Sequence, residues 1–240
     1  MDLSELKVLA RDLLGEKGEY WPDAQMDRLA NMANRIVYRA VANADPSYFL
    51  DQETITYTGE AESVDLKAAS FLNIQKDPYR VVDVAVLSGT AAAVTSTNQP
   101  VSLEYLDPTE INTYHTSIHD PYHHRWDTRW TLVRDGDLML TPIPATDTTI
   151  VVRFIQQPLT LTHDNDIVLN PDTSDAHPIT SQHAAGYYDL VTSLFCKILS
   201  TKERRQALEL SELMLFVSNE VKQVELSRTN SQKIIYESPY

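Results

Sequence analysis

The chain has 240 residues, one cysteine, and 34 acidic against 20 basic side chains, for a formal net charge of −14. That length buries roughly 70% of the unfolded surface, enough for one large domain or two smaller ones sharing a core. The charge speaks against a protein that grips nucleic acid through a basic face. The lone Cys196 excludes an internal disulfide framework, and no run of about 18 apolar residues is present to cross a bilayer.

The first residues, MDLSELKVLARDLL, place acidic and polar side chains where a secretory signal would have a basic start and an unbroken apolar run. They predict a reduced, cytoplasmic product. Leu3, Leu6, Leu9, Ala10, Leu13 and Leu14 recur at helical spacing, and Gly15 supplies a left-handed stop, so the first helix is expected over 3–14. After GEKGEYWP a second helix enters at Asp23 and ends before Asp45-Pro46. Its apolar face is Met26, Leu29, Ala30, Ala33, Ile36, Val37, Ala40 and Val41.

From about Tyr48 to Gln157, Thr, Val, Ile and Tyr become common and alternation replaces helical spacing, which predicts strands. They are expected at Thr54–Thr58, Phe71–Gln75, Arg80–Leu87 and Arg129–Arg134. A hairpin is expected over Asp137–Ile155, with Leu138 and Leu140 before the turn TPIPATDT and Ile150, Val152 and Phe154 after it. Asp107-Pro108-Thr109-Glu110 has a capping side chain, a proline at the first helical position and an acid in the first turn, so a short helix is expected there. SGTAAAVTSTNQP reads as a loop.

Helices return near His183. Ala184, Tyr188, Val191, Phe195 and Ile198 form one seam, and Ala207, Leu210, Met214, Val217, Val221 and Val224 form another, facing each other in a helical hairpin. Ser200 is expected to cap the second of these helices, with Glu203 completing a capping box. Past Leu226 the periodicity stops, and Ile234-Ile235-Tyr236 stands out in a polar tail. The fold class expected is α+β. A helical module of residues 1–47 and 158–226 carries an inserted antiparallel β domain, 48–157, and an extended C-terminal arm, 227–240.

Catalytic constellations are weak. His115, His119, His123 and His124 lie near Asp120, and imidazoles four residues apart can share a helical face and close on zinc. Pro121 interrupts that register, and no cysteine or second acid stands at a usual ligand offset, so an exposed polar loop is the preferred account. Cys196 lies in an apolar helix and reads as a structural thiol. No Gly-x-Ser-x-Gly elbow or phosphate-cradling glycine loop occurs. The acid pairs Asp135/Asp137 and Asp164/Asp166 suit turns. Trp126 and Trp130, with Tyr122 and Arg125, could stack on bases, but their spacing suits packing better. No catalytic residue, cofactor or metal is predicted.

The arm carries the most functional content. Burying Ile234, Ile235 and Tyr236 on a partner contributes about 1.5–3 kcal/mol each, against an ordering cost of about 1–2 kcal/mol per residue for an extended backbone. Docking would then also need main-chain hydrogen bonds or many copies acting together. A docking arm and a free tail are both compatible with this segment.

The order of signals resembles the head-tail adaptor (connector) proteins of tailed bacteriophages, in pattern over nearly the whole chain. The resemblance consists of a first helix ending at Gly15, an acid-led second helix with an internal asparagine (DAQMDRLANMANRIVYRAV) and a threonine-rich strand (TITYTG). It continues with a glycine-led strand, a Pro-x-Pro turn and a second strand reaching a proline (GDLMLTPIPATDTTIVVRFIQQPLTLT), then an acid-rich link into helices. RWDTRWTLVR stands where the family has a tyrosine-rich stretch. The resemblance implies a virion structural protein of the neck, made in the host cytoplasm. It implies a homo-oligomeric ring of about twelve copies with a portal protein on one side and a tail or nozzle protein on the other. DNA would pass through the lumen without specific binding, and no membrane is involved. Ile234, Ile235, Tyr236, Pro239 and Tyr240 become the portal-docking candidates. Another neck or tail-completion protein is the nearest alternative, and a metal-dependent enzyme using the His115–His124 cluster is the alternative from another class.

Overall fold

A computed structural model describes residues 1–15, 21–68, 71, 80–87, 99–111, 128–133, 136–170, 184–203 and 209–236. The chain divides into two compact units, Met1–Phe49 with Pro158–Tyr240, and Leu50–Gln157. The fold is α+β, with helices at both ends of the sequence and antiparallel pairing dominating the strands between.

Among the described residues the first unit holds four α-helices. Helix α1 (Leu3–Leu14) starts in a capping box in which the Asp2 carboxylate accepts from Glu5 N–H and the Glu5 carboxylate from Asp2 N–H. It stops at Gly15 with φ 68°. Helix α2 (Asp23–Ala44) buries Met26, Leu29, Ala30, Ala33, Asn34, Val37, Tyr38 and Val41. Ile36 and Ala40, expected on that stripe, are only half-buried. Tyr38 stacks on Phe49 at 3.8 Å, and burial pushes its phenol far above the ordinary range.

Helix α3 (Ala184–Glu203) packs Tyr187, Val191, Leu194, Phe195 and Ile198 into the core. The expected cap at Ser200 is corrected: α3 runs on through Glu203. Ser200 and Thr201 donate their hydroxyls back to the Lys197 carbonyl at 3.0 and 2.7 Å, a bond that a helix's last turn offers to such side chains. Helix α4 (Leu210–Tyr236) buries Leu213, Val217 and Val221, whereas Met214, expected in that seam, is 50% exposed.

Of the expected extended arm, 227–240, residues 227–236 are helical and 237–240 lie outside the described residues. The α4 backbone is helical through Tyr236, because SRTNSQKIIY contains no proline or glycine to stop a helix already nucleated, and propagation needs only one bond per added residue.

Among the described residues the second unit is two sheets over one core. One has the order β1-β7-β2-β3, with β1 at Leu50–Tyr57, β2 at Arg80–Leu87, β3 at Pro100–Ser102 and β7 at Thr148–Ile155. The other has the order β4-β5-β6, with β4 at Glu104–Tyr105, β5 at Arg129–Val133 and β6 at Asp137–Thr141. The expected hairpin over 137–155 is therefore not one: both strands form, but β6 pairs with β5 and β7 lies between β1 and β2. Between them Pro142 and Pro144 lack the N–H groups that a continuing ladder needs, so the chain turns a corner from one sheet to the other.

Their alternating residues still meet, since Leu138 and Leu140 share a core with Ile150, Val152 and Phe154. Tyr57 ties the sheets together: its hydroxyl lies 3.1 Å from the carbonyls of Ala61 and Glu62 and accepts from Leu140 N–H at 3.3 Å. Trp130 is buried, donates Nε1–H to the Leu103 carbonyl at 3.2 Å and meets Tyr105 edge-on, a packing role. Phe71 is in no strand, and residues 72–75 lie outside the described residues. Pro108–Glu110 forms a short 3-10 turn capped by Asp107.

Beyond β1 the chain passes close against itself. A Cβ on Gly59 would stand 2.7 Å from Thr146 Cα and carbonyl carbon, both backbone atoms that cannot swing aside. Gly59→Ala is expected to lower unfolding stability by about 1–3 kcal/mol, read from urea denaturation; an unchanged midpoint would show the turn to be slack.

Candidate interaction surfaces

The helical unit is organised around the segment 158–170, which α1 and α2 hold by side chains. Asn31 serves as a surrogate peptide group: its Nδ2 donates to the Leu161 carbonyl at 2.7 Å and its Oδ1 accepts from Leu161 N–H at 2.8 Å. These are the two bonds that a paired strand residue would exchange. One turn on, the fully buried Asn34 accepts from Leu169 N–H at 2.8 Å and reaches the Leu159 carbonyl at 3.4 Å. Leu169 has φ 60°, a left-handed conformation costly for a residue with a Cβ, and the Asn34 bond falls on that residue.

Lys7 completes the clamp, its ammonium 2.7 Å from Asp27 Oδ1 and 2.9 Å from Asp164 Oδ1. Burial alone would lower its pKa, but the two carboxylates outweigh burial and hold it above the ordinary lysine value. Asp166 accepts from Thr162 N–H at 2.6 Å and His163 N–H at 2.8 Å. Burial raises its pKa, and these donors more than offset it, leaving the carboxyl below its usual range. The pair Asp164/Asp166 thus closes a turn and grips a lysine, which is structural work.

Three outward faces of this unit stand out. On α2, a groove of 470 Å³ is lined by Arg28, Asn31, Met32, Arg35, Ile36 and Thr160. Arg28 and Arg35 are exposed and, among the described residues, neither makes an ion pair; Arg35 donates to Thr160 Oγ1 at 3.1 Å. On α1, Val8, Leu9 and Leu13 are 54%, 41% and 63% exposed. On α4, Met214 and Leu215 are exposed as well.

Of the predicted docking residues, Ile234, Ile235 and Tyr236 fall in the last turn of α4, while Pro239 and Tyr240 lie outside the described residues. His115, His119, Asp120, His123, His124 and Trp126 also lie outside them. Among the described residues no group of three or more His, Cys, Asp or Glu side chains is arranged to hold a metal, and no helix is long and apolar enough to cross a membrane. Cys196 is half-buried, and burial pushes its thiol up. The sequence marked an asparagine within the second helix but not its purpose. Its spacing, Asn31 and Asn34 on successive turns beside an apolar stripe, was the available signal.

Compared with known families, the chain matches the model described as SU10 adaptor protein over residues 1–203, that is, through the end of α3. No curated protein matches it.

Proposed function

The chain belongs to the SU10 adaptor protein family, a bacteriophage family of structural adaptors, and from that premise we propose that it forms the ring joining the portal to the tail. Its role is structural and its place is the virion. In the proposed arrangement about twelve copies close a ring by repeated head-to-tail contacts. The end of α4 with the residues after it, Ile234, Ile235, Tyr236, Pro239 and Tyr240, docks on the portal. The β unit faces the tail or nozzle protein. DNA crosses a lumen whose acidic lining repels phosphate, in keeping with a net charge of −14.

The observation that carries this is the family match over residues 1–203. It is supported by large apolar side chains left exposed on α1 and α4, which a lone subunit leaves in water. Mixing the purified chain with portal rings and imaging the product by electron microscopy is expected to show a second ring stacked on the portal. The absence of both ring formation and portal binding at micromolar concentrations would overturn the proposal.

A further inference from the structure

Two helices of the first unit carry one pattern with inverted charge. On α1, Glu5, Leu9, Asp12 and Leu13 occupy positions i, i+4, i+7 and i+8; on α2, Arg28, Met32, Arg35 and Ile36 occupy the same four steps. In both, two charges seven residues apart stand in line along the helix, about 10.5 Å from one another, with two apolar side chains on the same flank. All four charged residues are exposed, as are Leu9 and Leu13, while Met32 and Ile36 are half-buried in the floor of the 470 Å³ groove.

The charges are available. Asp12, Arg28 and Arg35 have no ionic partner among the described residues. Glu5 uses Oε2 for both its capping bond and its contact with the N-terminal ammonium, which leaves Oε1 for an arginine.

We infer that these faces meet between copies: α1 of one subunit lies across the α2 groove of the next, with Glu5 and Asp12 on Arg28 and Arg35, and Leu9 and Leu13 against Met32 and Ile36. Within one chain both faces point outward and neither covers the other. A second copy is the occupant because it carries the groove's complement at the same spacing and chemistry. Since donor and acceptor faces differ, each subunit keeps one of each in use, the heterologous geometry that closes into rings. The contact deepens the ring assembly proposed above and rests on it. Paired guanidinium and carboxylate groups fix its register, and the apolar flank supplies the desolvated centre.

The test uses two full-length variants, R28E/R35E and E5K/D12K, followed by sedimentation velocity and electron microscopy, alone and on portal rings, with circular dichroism confirming the fold. Each variant by itself is expected to assemble at least tenfold more weakly than the unaltered chain, because its two faces then carry like charge. Mixed in equal amounts they are expected to recover assembly, since the acidic groove of one accepts the basic α1 of the other. Leu13→Asp, which leaves the Glu5 cap untouched, is expected to weaken assembly as well. If either charge variant assembles like the unaltered chain, or the folded pair fails to assemble when mixed, this contact is overturned while the ring stands. If the unaltered chain forms no ring under any of these conditions, the ring proposal itself is overturned.

Discussion

Truncation after Leu226 is expected to reduce portal binding at least a hundredfold while leaving the β unit and the core of the helical unit folded. The lost residues include Ile234, Ile235 and Tyr236, which on a portal surface would bury about 1.5–3 kcal/mol each. An extended tail would surrender most of that to ordering, at about 1–2 kcal/mol per residue. The α4 backbone is already helical through Tyr236, so residues after Leu226 that docked on a portal would do so with much of that cost met on folding. In the proposed ring many copies would act together, and a few kcal/mol per copy would become a stable junction. The measurement is co-sedimentation with purified portal rings, with a triple alanine variant at 234–236 to separate side chains from length. Unaltered affinity in the truncated chain would remove this segment from the mechanism.

Asn34→Ala should be the most damaging polar substitution in the helical unit, with a loss of about 3 kcal/mol. Asn34 is wholly buried, and its Oδ1 accepts from Leu169 N–H. Leaving a buried donor unsatisfied costs about 1–3 kcal/mol. Leu169, at φ 60°, would at the same time lose the bond that holds its left-handed backbone in place. For a chain of this size the midpoint of thermal unfolding should fall by roughly 6–12 °C. Circular dichroism melts would check it, with Asn31→Ala, at a half-buried position, as the milder comparison. A shift under about 1 °C would mean that segment 158–170 holds its course without α2.

What could be read from sequence follows the range of the forces involved. The bounds of α1 and α2 were legible because apolar spacing, first-turn acids and stops are local: Gly15, Asp23 and Pro46 act on their immediate neighbours. Strand positions in β2, β5, β6 and β7 were legible from alternation. Their pairing was not, because alternation says which residues point inward and nothing about which strand lies alongside. Leu138 and Ile150 looked like hairpin partners and are instead neighbours across two stacked sheets. The seam of α4 was misplaced by one residue, at Met214 in place of Leu213, because consecutive apolar residues leave the stripe ambiguous until a partner helix selects one. Helix beyond Leu226 was missed because a loss of apolar period says that a face is unburied, not that the backbone has stopped coiling. The Asn31 and Asn34 contacts span more than 120 positions of sequence, beyond any local signal.

The two-part composition of the helical unit sets an order on its biosynthesis. Residues 50–157 form a contiguous unit and can close as soon as they leave the ribosome. α1 and α2 emerge first yet cannot finish, because Asn31, Asn34 and Lys7 await partners at 159–169 and the apolar stripe of α2 awaits α3 and α4. At about 5–20 residues per second, that leaves the nascent helical pair roughly 10–40 s before the end of α4 has emerged to cover its inner stripe. The subunit therefore matures from its middle outward, and the helical unit, whose outer surfaces are those proposed for assembly, is the last part to be completed.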